Sequence, residues 1–400
     1  MLKLKGLRWL SILSTKPTTT TKINKYKIKE FGMKFSCNQN KLSKSLNIIS
    51  KAISTRTTMP ILKGILIDVE DGILTLTASD LDISVIRKIK VDSIENGKTV
   101  VNAKIFTDII RKLPSAEINF VVDYNQKMEI KCLNTDFEII CISPDEFPSI
   151  YRESFDDAIS FHKETFKNLI KRTQFAAHPD ETRGIISGIL LEMNKDYLKM
   201  VAIDGYRMAI NKAITNIDDE QKFVVSARIM GELSKIINDS QDETDIIKIK
   251  KNGKSLAALI GNNEVNLRII DGEFLQYNEM VPSESSIHVK VNRKSLSEAI
   301  ERASIFTIEG QNNLIKLNIE EQIMKISSKS QEGSVVEEVM IDKIGEDIEI
   351  GFNAKYLIDI LKVIEDDEIM LYFNSPVTPC VVTPIEGDEF LFLVLPVRVK

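Results

Sequence analysis

A length of 400 residues leaves room for roughly two to four domains, and a content of 43% hydrophobic and 28% charged residues is that of an ordinary globular protein. The formal net charge of −5 argues against a surface that is basic throughout, although a local basic patch remains compatible with it. No segment approaches the roughly 18 consecutive apolar residues of a membrane-spanning helix. We therefore expect a cytoplasmic protein with no membrane partner.

The first 32 residues differ in kind from the rest. Residues 1–32 contain eight Lys or Arg and one acid, a net charge of +7, which leaves −12 for the remainder of a chain whose total is −5. We interpret them as a disordered leader, or as the result of a start codon upstream of Met33. A basic tail that touches nucleic acid is the alternative. Neither interpretation makes them part of the fold.

From Met33 onward the chain repeats itself at long range. Gly64 and Gly188, like Asp80 and Asp204, are separated by one offset of 124 residues. A third copy is marked by a motif that all three share, Asn102-Ala103-Lys104, Ser226-Ala227-Arg228 and Asn353-Ala354-Lys355. Copies of this length can each bury their own core. We predict three domains, at residues 33–152, 158–282 and 285–400.

The order of predicted elements is the same in each copy. A strand and an amphipathic helix come first, and then a hairpin such as the one around Asp71-Gly72, where apolar and polar residues alternate on both sides of the turn. A second helix and another group of strands follow. This order predicts an α+β fold: three tandem copies of one domain, each with two helices packed on antiparallel sheets.

The second helix of each copy carries a charge triad at identical spacing. Its basic, acidic and basic positions, i, i+4 and i+7, lie within about 60° of one another around the helix, and we expect the apolar residues that begin with Ile105 and Phe106 on the far side. In a single helix such a face is usually solvated and held by ion pairs, but three copies weaken that interpretation. The triads are Lys104, Asp108 and Arg111; Arg228, Glu232 and Lys235; and Lys355, Asp359 and Lys362.

The opening helices add further cations. Residues 37–56 contain no acid, and lysines share a helix face in the first two copies: Lys41, Lys44 and Lys51, then Lys163, Lys167 and Lys171. A basic helical surface on an acidic body suits a phosphate backbone. We find no helix-turn-helix, zinc finger or aromatic RNA-binding motif, so recognition of a base sequence is not expected.

Signatures of catalysis and of metal binding are not visible. The histidines His162, His178 and His288 are far apart, and the four cysteines have no C-x-x-C spacing. We therefore expect buried free thiols, no metal and no cofactor.

Five short motifs spread over the three copies point to one family. They are Met33-Lys34-Phe35, Met59-Pro60-Ile61-Leu62, Ala202 to Arg207, Gly351 to Ala354, and Leu395-Pro396-Val397-Arg398. Together they resemble the bacterial DNA polymerase III beta subunits, the replicative sliding clamps, over Met33 to Lys400. The resemblance implies a head-to-tail dimeric ring, with helices around duplex DNA and sheets outside. It also implies a non-catalytic processivity factor that tethers the DNA polymerase III catalytic subunit, the clamp loader and other proteins with clamp-binding peptides.

The expected functional residues form three sets. The DNA-facing set joins the basic helix positions to two arginines that the resemblance implies: Lys44, Arg56, Lys104, Arg111, Arg183, Arg228, Lys235 and Lys355. The implied partner groove, between the second and third domains, consists of Ile186, Ile203, Gly205, Tyr206, Arg207, Met208, Leu275, Val377, Pro379, Leu393, Val394, Leu395, Pro396, Val397 and Arg398. The implied dimer contact sets Phe137 and Ile139 against Ile305 and Phe306 of a second chain. Two residues depart from the family pattern at the groove, Leu275 in place of Pro and Glu279 where a basic residue is common.

A second class of function remains open from the residues alone. A triplicated α+β enzyme, or a scaffold for other proteins, would place its site in a cleft between copies. The missing nucleophile, metal and phosphate-loop signatures argue against an enzyme. A closed ring with a positive bore would favour the clamp, and an open array with one polar cleft would favour the alternative.

Overall fold

The first domain begins with a strand that runs directly into a helix. The structure, a computed structural model, describes residues 31–53, 57–215, 220–240, 244–307 and 313–398. The elements of domain 1 are β1 (Phe31–Asn38), α1 (Gln39–Ile49), β2 (Gly64–Glu70), β3 (Ile73–Ser79), β4 (Ile83–Lys90), β5 (Asp92–Glu95), β6 (Gly97–Asn102), α2 (Ala103–Lys112), β7 (Glu117–Asp123), β8 (Lys127–Cys132) and β9 (Thr135–Ile140).

The second and third domains repeat this order. Domain 2 contains β10 (Ile159–His162), α3 (Lys163–Gln174), β11 (Gly188–Met193), β12 (Tyr197–Ile203), β13 (Arg207–Ile214), β14 (Gln221–Ser226), α4 (Ala227–Asp239), β15 (Ile246–Asn252), β16 (Ser255–Ile260) and β17 (Asn263–Ile270). Domain 3 contains β18 (Ile287–Asn292), α5 (Arg293–Ser304), β19 (Leu314–Glu320), β20 (Ile323–Lys329), β21 (Ser334–Ile344), β22 (Ile348–Asn353), α6 (Ala354–Val363), β23 (Glu368–Phe373), β24 (Cys380–Pro384) and β25 (Phe390–Val394). The predicted α+β fold, three copies with two helices each on antiparallel sheets, is confirmed for the described residues.

Asparagine side chains fix the start of four of these helices. An amide oxygen accepts a hydrogen bond from a backbone N–H of the first turn, which would otherwise lack a partner. The capping residues are Asn38, Asn102, Asn292 and Asn353. Because each Asn also ends a strand, a strand turns into a helix within one residue, and the helices of a domain come to lie together on its sheets.

The apolar face of α2 is narrower than its sequence indicates. Ala103, Phe106 and Ile110 are buried, whereas Ile105, expected on the same face, is 51% exposed. The buried residues follow the spacing of three and four that defines one helix face. Ile105 lies to the side of that face, in the first turn of the helix.

The sheets continue from one domain into the next. The last strand of domain 2, β17, pairs antiparallel with β4 of domain 1, with Val265 opposite Val85. The last strand of domain 3, β25, pairs with β13 of domain 2 in the same way, and Phe392 lies opposite Ala209. Both junctions therefore use the same two strands of the repeat, the last strand of one domain and the fourth strand of the preceding one.

Two strands of the repeat lack such a neighbour within the described chain. The last strand of domain 1, β9, is the end strand of its five-stranded sheet. The counterpart of β4 and β13 in domain 3 is β21, whose residues 334–340 pair with β20 on one side only. An exposed strand edge is a template for pairing with another chain.

The four cysteines are buried and form no disulfide, as predicted. Burial raises the pKa of the Cys37 thiol to about 11 and also raises that of Cys141. A thiol in this state is a poor nucleophile, which agrees with a packing role.

Candidate nucleic-acid surface and partner groove

The helices carry charge of the opposite sign to the chain as a whole. The six α-helices of the described residues contain 16 Lys or Arg and 7 Asp or Glu, a net charge of +9 in a chain of net charge −5. Five of the predicted DNA-facing residues are exposed on this layer: Lys44, Lys104, Arg111, Lys235 and Lys355. The positive charge is concentrated on the helical side of the sheets.

Ion pairs on the helices engage part of this charge. Arg111 pairs with Asp108 at 2.6 Å and Lys235 with Glu232 at 2.7 Å, each across one turn. Such exposed pairs contribute about 0.2–1 kcal/mol, so a phosphate can compete with the carboxylate.

In the opening helix of domain 2 the expectation of three surface lysines is wrong for Lys163. Its side chain is buried and donates to the carbonyl of Thr244 at 2.6 Å.

Arg228 is exposed, as its spacing suggested, but its charge is engaged by acids. Its guanidinium lies within 3.4 Å of three carboxylates, those of Glu181, Asp80 and Asp82. Burial raises the pKa of Asp82, and the neighbouring Asp80 carboxylate raises it further. Two of these acids belong to domain 1 and Arg228 to domain 2. We therefore correct its assignment: Arg228 holds the junction of the two domains.

Two predicted DNA-facing residues remain, Arg183 and Arg56. Arg183 is exposed in the turn that precedes β11, where its backbone N–H donates to Asp180 at 3.1 Å. Arg56 lies outside the described residues.

The predicted groove residues gather where β13 meets β25. Ile203, Met208 and Leu393 are buried in an apolar cluster that spans domains 2 and 3. Tyr206 is 60% exposed above them. Other predicted members are also exposed, Leu275, Val377, Leu395 and Arg398, or partly buried, Ile186, Pro379, Pro396 and Val397. The structure thus brings Ile203, Met208 and Leu393 together as an apolar floor, with the exposed Tyr206 in the turn between β12 and β13.

The C-terminal segment closes one side of this groove. The N–H of Leu395 donates to the carbonyl of Tyr206 at 2.9 Å, and the N–H of Val397 donates to Gly351 at 2.8 Å. Gly205, with φ of 93°, occupies backbone space that favours glycine. A Cβ added at Gly205 would have no other atom within 4 Å. The positive φ, and not a lack of space, therefore favours glycine at this position.

Two predicted groove residues face the other side of the sheet. Val394 is fully buried in the core beneath the helices. Arg207, opposite it in the strand pair, lies between the rings of Phe175 and Tyr356, at 5.2 and 4.6 Å. Strand side chains alternate between faces, which places both residues opposite Met208 and Leu393. Neither residue is available to a ligand on the outer face.

Arg207 ties domain 2 to domain 3 beneath the groove. It donates to Asp204 at 2.9 Å, to Asp359 of α6 at 2.6 Å, and to the carbonyl of Phe175 at 2.7 Å. Tyr356, also on α6, stacks on Tyr206 at a centroid distance of 6.1 Å. The motif matches missed Tyr356 and Asp359 as supports of the groove. The position of Asp359 in the helix triad was the only sequence signal.

The apolar floor is found at one of the two internal junctions only. The three hairpins β3–β4, β12–β13 and β20–β21 end on equivalent pairs, Ser79 with Ser84, Ile203 with Met208, and Lys329 with Ser334. The serine pair at the junction of domains 1 and 2 is joined by a hydroxyl hydrogen bond of 2.8 Å. Of these two pairs, only the second therefore offers apolar surface from which a ligand gains desolvation energy.

The predicted dimer residues lie beside the two unpaired strand edges. Phe137 of β9 is exposed and Ile139 is partly buried against the core. Ile305, just after α5, is 72% exposed. Phe306 packs close to Gly333, where an added Cβ would lie 2.7 Å from its ring.

The described residues contain no group of three or more His, Cys, Asp or Glu suited to a metal ion. In that same part of the chain, no helix is long and apolar enough to cross a membrane.

Three joined copies of one domain, a cationic helical layer, sheets that continue across the junctions, and an apolar groove are together typical of a clamp type of protein. Family models of the DNA polymerase III beta subunit match the whole repeated part. The N-terminal domain model matches residues 33–151, the central domain model residues 160–276, and the C-terminal domain model residues 278–398. The chain belongs to the DNA polymerase III beta subunit family.

Relatives and solved structures agree with this membership. The beta sliding clamp of Bacillus subtilis is 33% identical over 379 residues, which cover 92% of this chain and 100% of the relative. The crystal structure of the B. subtilis sliding clamp matches with a TM-score of 0.89 at 32% identity, over 92% of this chain and 100% of that one. A putative DNA polymerase III beta subunit from Eubacterium rectale matches with a TM-score of 0.88 at 35% identity, with the same coverage.

Arg228→Ala should loosen the junction of domains 1 and 2. The substitution leaves the largely buried Asp80 carboxylate without its cation, and loss of a charged partner in such a place costs about 1–3 kcal/mol. Thermal unfolding should begin at a lower temperature, and amides of β4 and β17 should exchange faster. Lys235→Ala, which removes an exposed cation seven residues along the same helix, is the control and should change neither. Equal effects of the two variants would contradict the reassignment of Arg228.

Proposed function

We propose that this protein is a DNA sliding clamp. It acts as a non-enzymatic processivity factor that encircles duplex DNA without sequence specificity and tethers the replicative polymerase by its groove. The observation that carries the proposal is the net charge of +9 on the helical layer of an acidic chain. Lys and Arg contacts to phosphate carry no sequence information. A ring that holds DNA by such contacts alone stays bound and still moves.

The repeat supports closure of the ring by a second copy of the chain. At both internal junctions the last strand of one domain pairs with the fourth strand of the preceding one. The two strands left over are β9 and β21, and a head-to-tail dimer pairs each β9 with the β21 of the other chain. Transfer of the internal register sets Phe137 opposite Val335 and Ile139 opposite Gly333. These positions correspond to the pairs Val265–Val85 and Leu267–Ile83.

A contact between two aromatic side chains inside the chain supports the same apolar contact between subunits. Phe392 of β25, the counterpart of Phe137, packs on Phe175 at a centroid distance of 5.8 Å. Phe175 directly follows α3, as Ile305 directly follows α5. The internal junction therefore supplies the template for Phe137 against Ile305 of the partner subunit.

Ile305→Asp should open the ring. A carboxylate in an apolar contact between subunits must give up its hydration without a partner. Sedimentation should show a shift from a mass of about twice 45.3 kDa toward the monomer. Ile214→Asp, at an almost fully exposed residue of β13 beyond its pairing with β25, is the control and should remain dimeric. An undiminished dimer in the Ile305 variant would refute this interface.

Charge reversal on the helical layer should weaken DNA binding and its dependence on salt. For the triple variant Lys44→Glu, Arg111→Glu and Lys235→Glu, each lost phosphate contact should lower the slope of log affinity against log salt by roughly one unit. Lys195 and Lys254 are exposed in hairpin turns and Lys251 is exposed near the end of β15, and the reversal of all three is the matched control for net charge. An equal loss of slope in both variants would show that total charge, not the helical layer, governs binding.

The groove supports docking of short apolar peptides from several partners in turn. Its floor of Ile203, Met208 and Leu393 is already packed. A bound peptide therefore gains binding energy from apolar side chains that cover this floor and contact the exposed rim. Methionine adapts to ligands of different shape. We propose the DNA polymerase III catalytic subunit and the clamp loader as partners, which compete for this groove in the cytoplasm.

Leu395→Ala combined with Val377→Ala should weaken binding of a labelled peptide from the polymerase III catalytic subunit by roughly 10-fold or more. Both side chains are exposed at the groove, so the fold and the dimer should be unaffected. Ile214→Ala, at the opposite end of β13 and almost fully exposed, is the control. Unchanged peptide affinity in the double variant, by fluorescence anisotropy, would remove the groove from this account.

A further inference from the structure

The two internal junctions share a second contact, away from the paired strands. In each, the first turn of the second helix of one domain touches the hairpin turn of the preceding domain. At the first junction Arg228 of α4 pairs with Asp80 and Asp82. At the second, Tyr356 of α6 stacks on Tyr206.

The hairpin turns are equivalent in all three domains. Each is closed by a hydrogen bond from the N–H of its first residue to the carbonyl of its fourth, with lengths of 3.1, 3.3 and 2.8 Å. The third residues of the turns are Asp82, Tyr206 and Glu332. In domain 3 the turn runs from Ser330 to Gly333 and leads into β21, the strand edge proposed to meet a second chain.

Among the described residues, the first turn of α2 has no such contact inside its own chain. Ile105 is 51% exposed, whereas its counterpart Ile229 in domain 2 is 1% exposed and its counterpart Tyr356 in domain 3 is covered by Tyr206. Lys104, beside it, is exposed and occupies the position of Arg228. An apolar residue and a cation are thus presented where the other two domains make a junction.

We infer that the first turn of α2 docks on the Ser330–Gly333 turn of a second copy of this chain. Lys104 then pairs with Glu332 of the partner subunit, and Ile105 is covered. The charges are complementary, and the contact continues the strand pairing of β9 with β21. The inference rests on the dimeric ring proposed above and extends its interface. It also removes Lys104 from the DNA-facing set, because its ammonium is held between subunits.

The contact lies at the rim of the interface, where ion pairs act mainly on the rate of association. Complementary rim charges steer encounter and are screened by salt, while apolar contacts near the centre carry more of the affinity. The pair of Lys104 with Glu332 should therefore make ring assembly dependent on salt. Two such pairs occur in each closed dimer, one at each junction between subunits.

A charge exchange tests the pairing. Lys104→Glu and Glu332→Lys should each raise the dimer dissociation constant by roughly 10-fold and slow association, since like charges then face each other at both junctions. The double variant should recover most of the wild-type value, measured by fluorescence exchange between labelled dimers at low and high salt. The salt slope of DNA binding, measured on the double variant, should equal that of the wild type.

The possible outcomes separate the two proposals. If the double variant shows no recovery while Ile305→Asp still gives a monomer, the contact of α2 is wrong and the ring stands. If the slope for DNA falls by about one unit per lost contact and the dimer is unaffected, Lys104 faces DNA and the inference is overturned. A wild-type protein that is monomeric at all concentrations would overturn the ring and the inference together.

Discussion

The structure depends on one recurrent interaction, the pairing of the last strand of each domain with the fourth strand of the domain before it. It joins β17 to β4 and β25 to β13 in the same register. Backbone hydrogen bonds set the register of these junctions, so the same strand pairing recurs with different side chains. A repeated head-to-tail junction generates a closed ring when the rotation closes, and in the ring proposed here the two strands left over form the contact between subunits.

The side chains at the two internal junctions differ in polarity. The first is held by the ions around Arg228, and its hairpin pair Ser79 and Ser84 is polar. The second has Arg207 between two aromatic rings on one side of the sheet and the apolar cluster of the groove on the other. A single backbone plan thus accommodates a polar junction and an apolar one within the described residues, and the basic helices of all three copies lie on their sheets in the same way.

Much of this could be predicted from the sequence because the repeat supplies three copies of every pattern. The copy number, the order of elements and the basic helices follow from spacing alone, and the motif Ala202 to Arg207 led to the groove. What failed were statements about single side chains. Helix spacing placed Arg228 and Lys163 on an exposed face, but it does not show that Asp80 or the carbonyl of Thr244 lies within reach. Motif matches put Arg207 and Val394 in the groove without showing that strand alternation turns them to the other face.

The central claim is that two chains close the ring by extending the internal register, and cysteine crosslinking tests it most directly. Directly opposed residues of an antiparallel pair have Cβ atoms about 4.5–5.5 Å apart, close enough for a disulfide after a small shift. In the chain with Phe137→Cys and Val335→Cys, mild oxidation should give a covalent dimer that stays on closed circular DNA in high salt and leaves once the circle is cut. The pair Phe137→Cys and Glu337→Cys, two residues out of register, should crosslink far less. Equal crosslinking of both pairs, or a covalent dimer that leaves closed circles as readily as the untreated protein, would contradict the account.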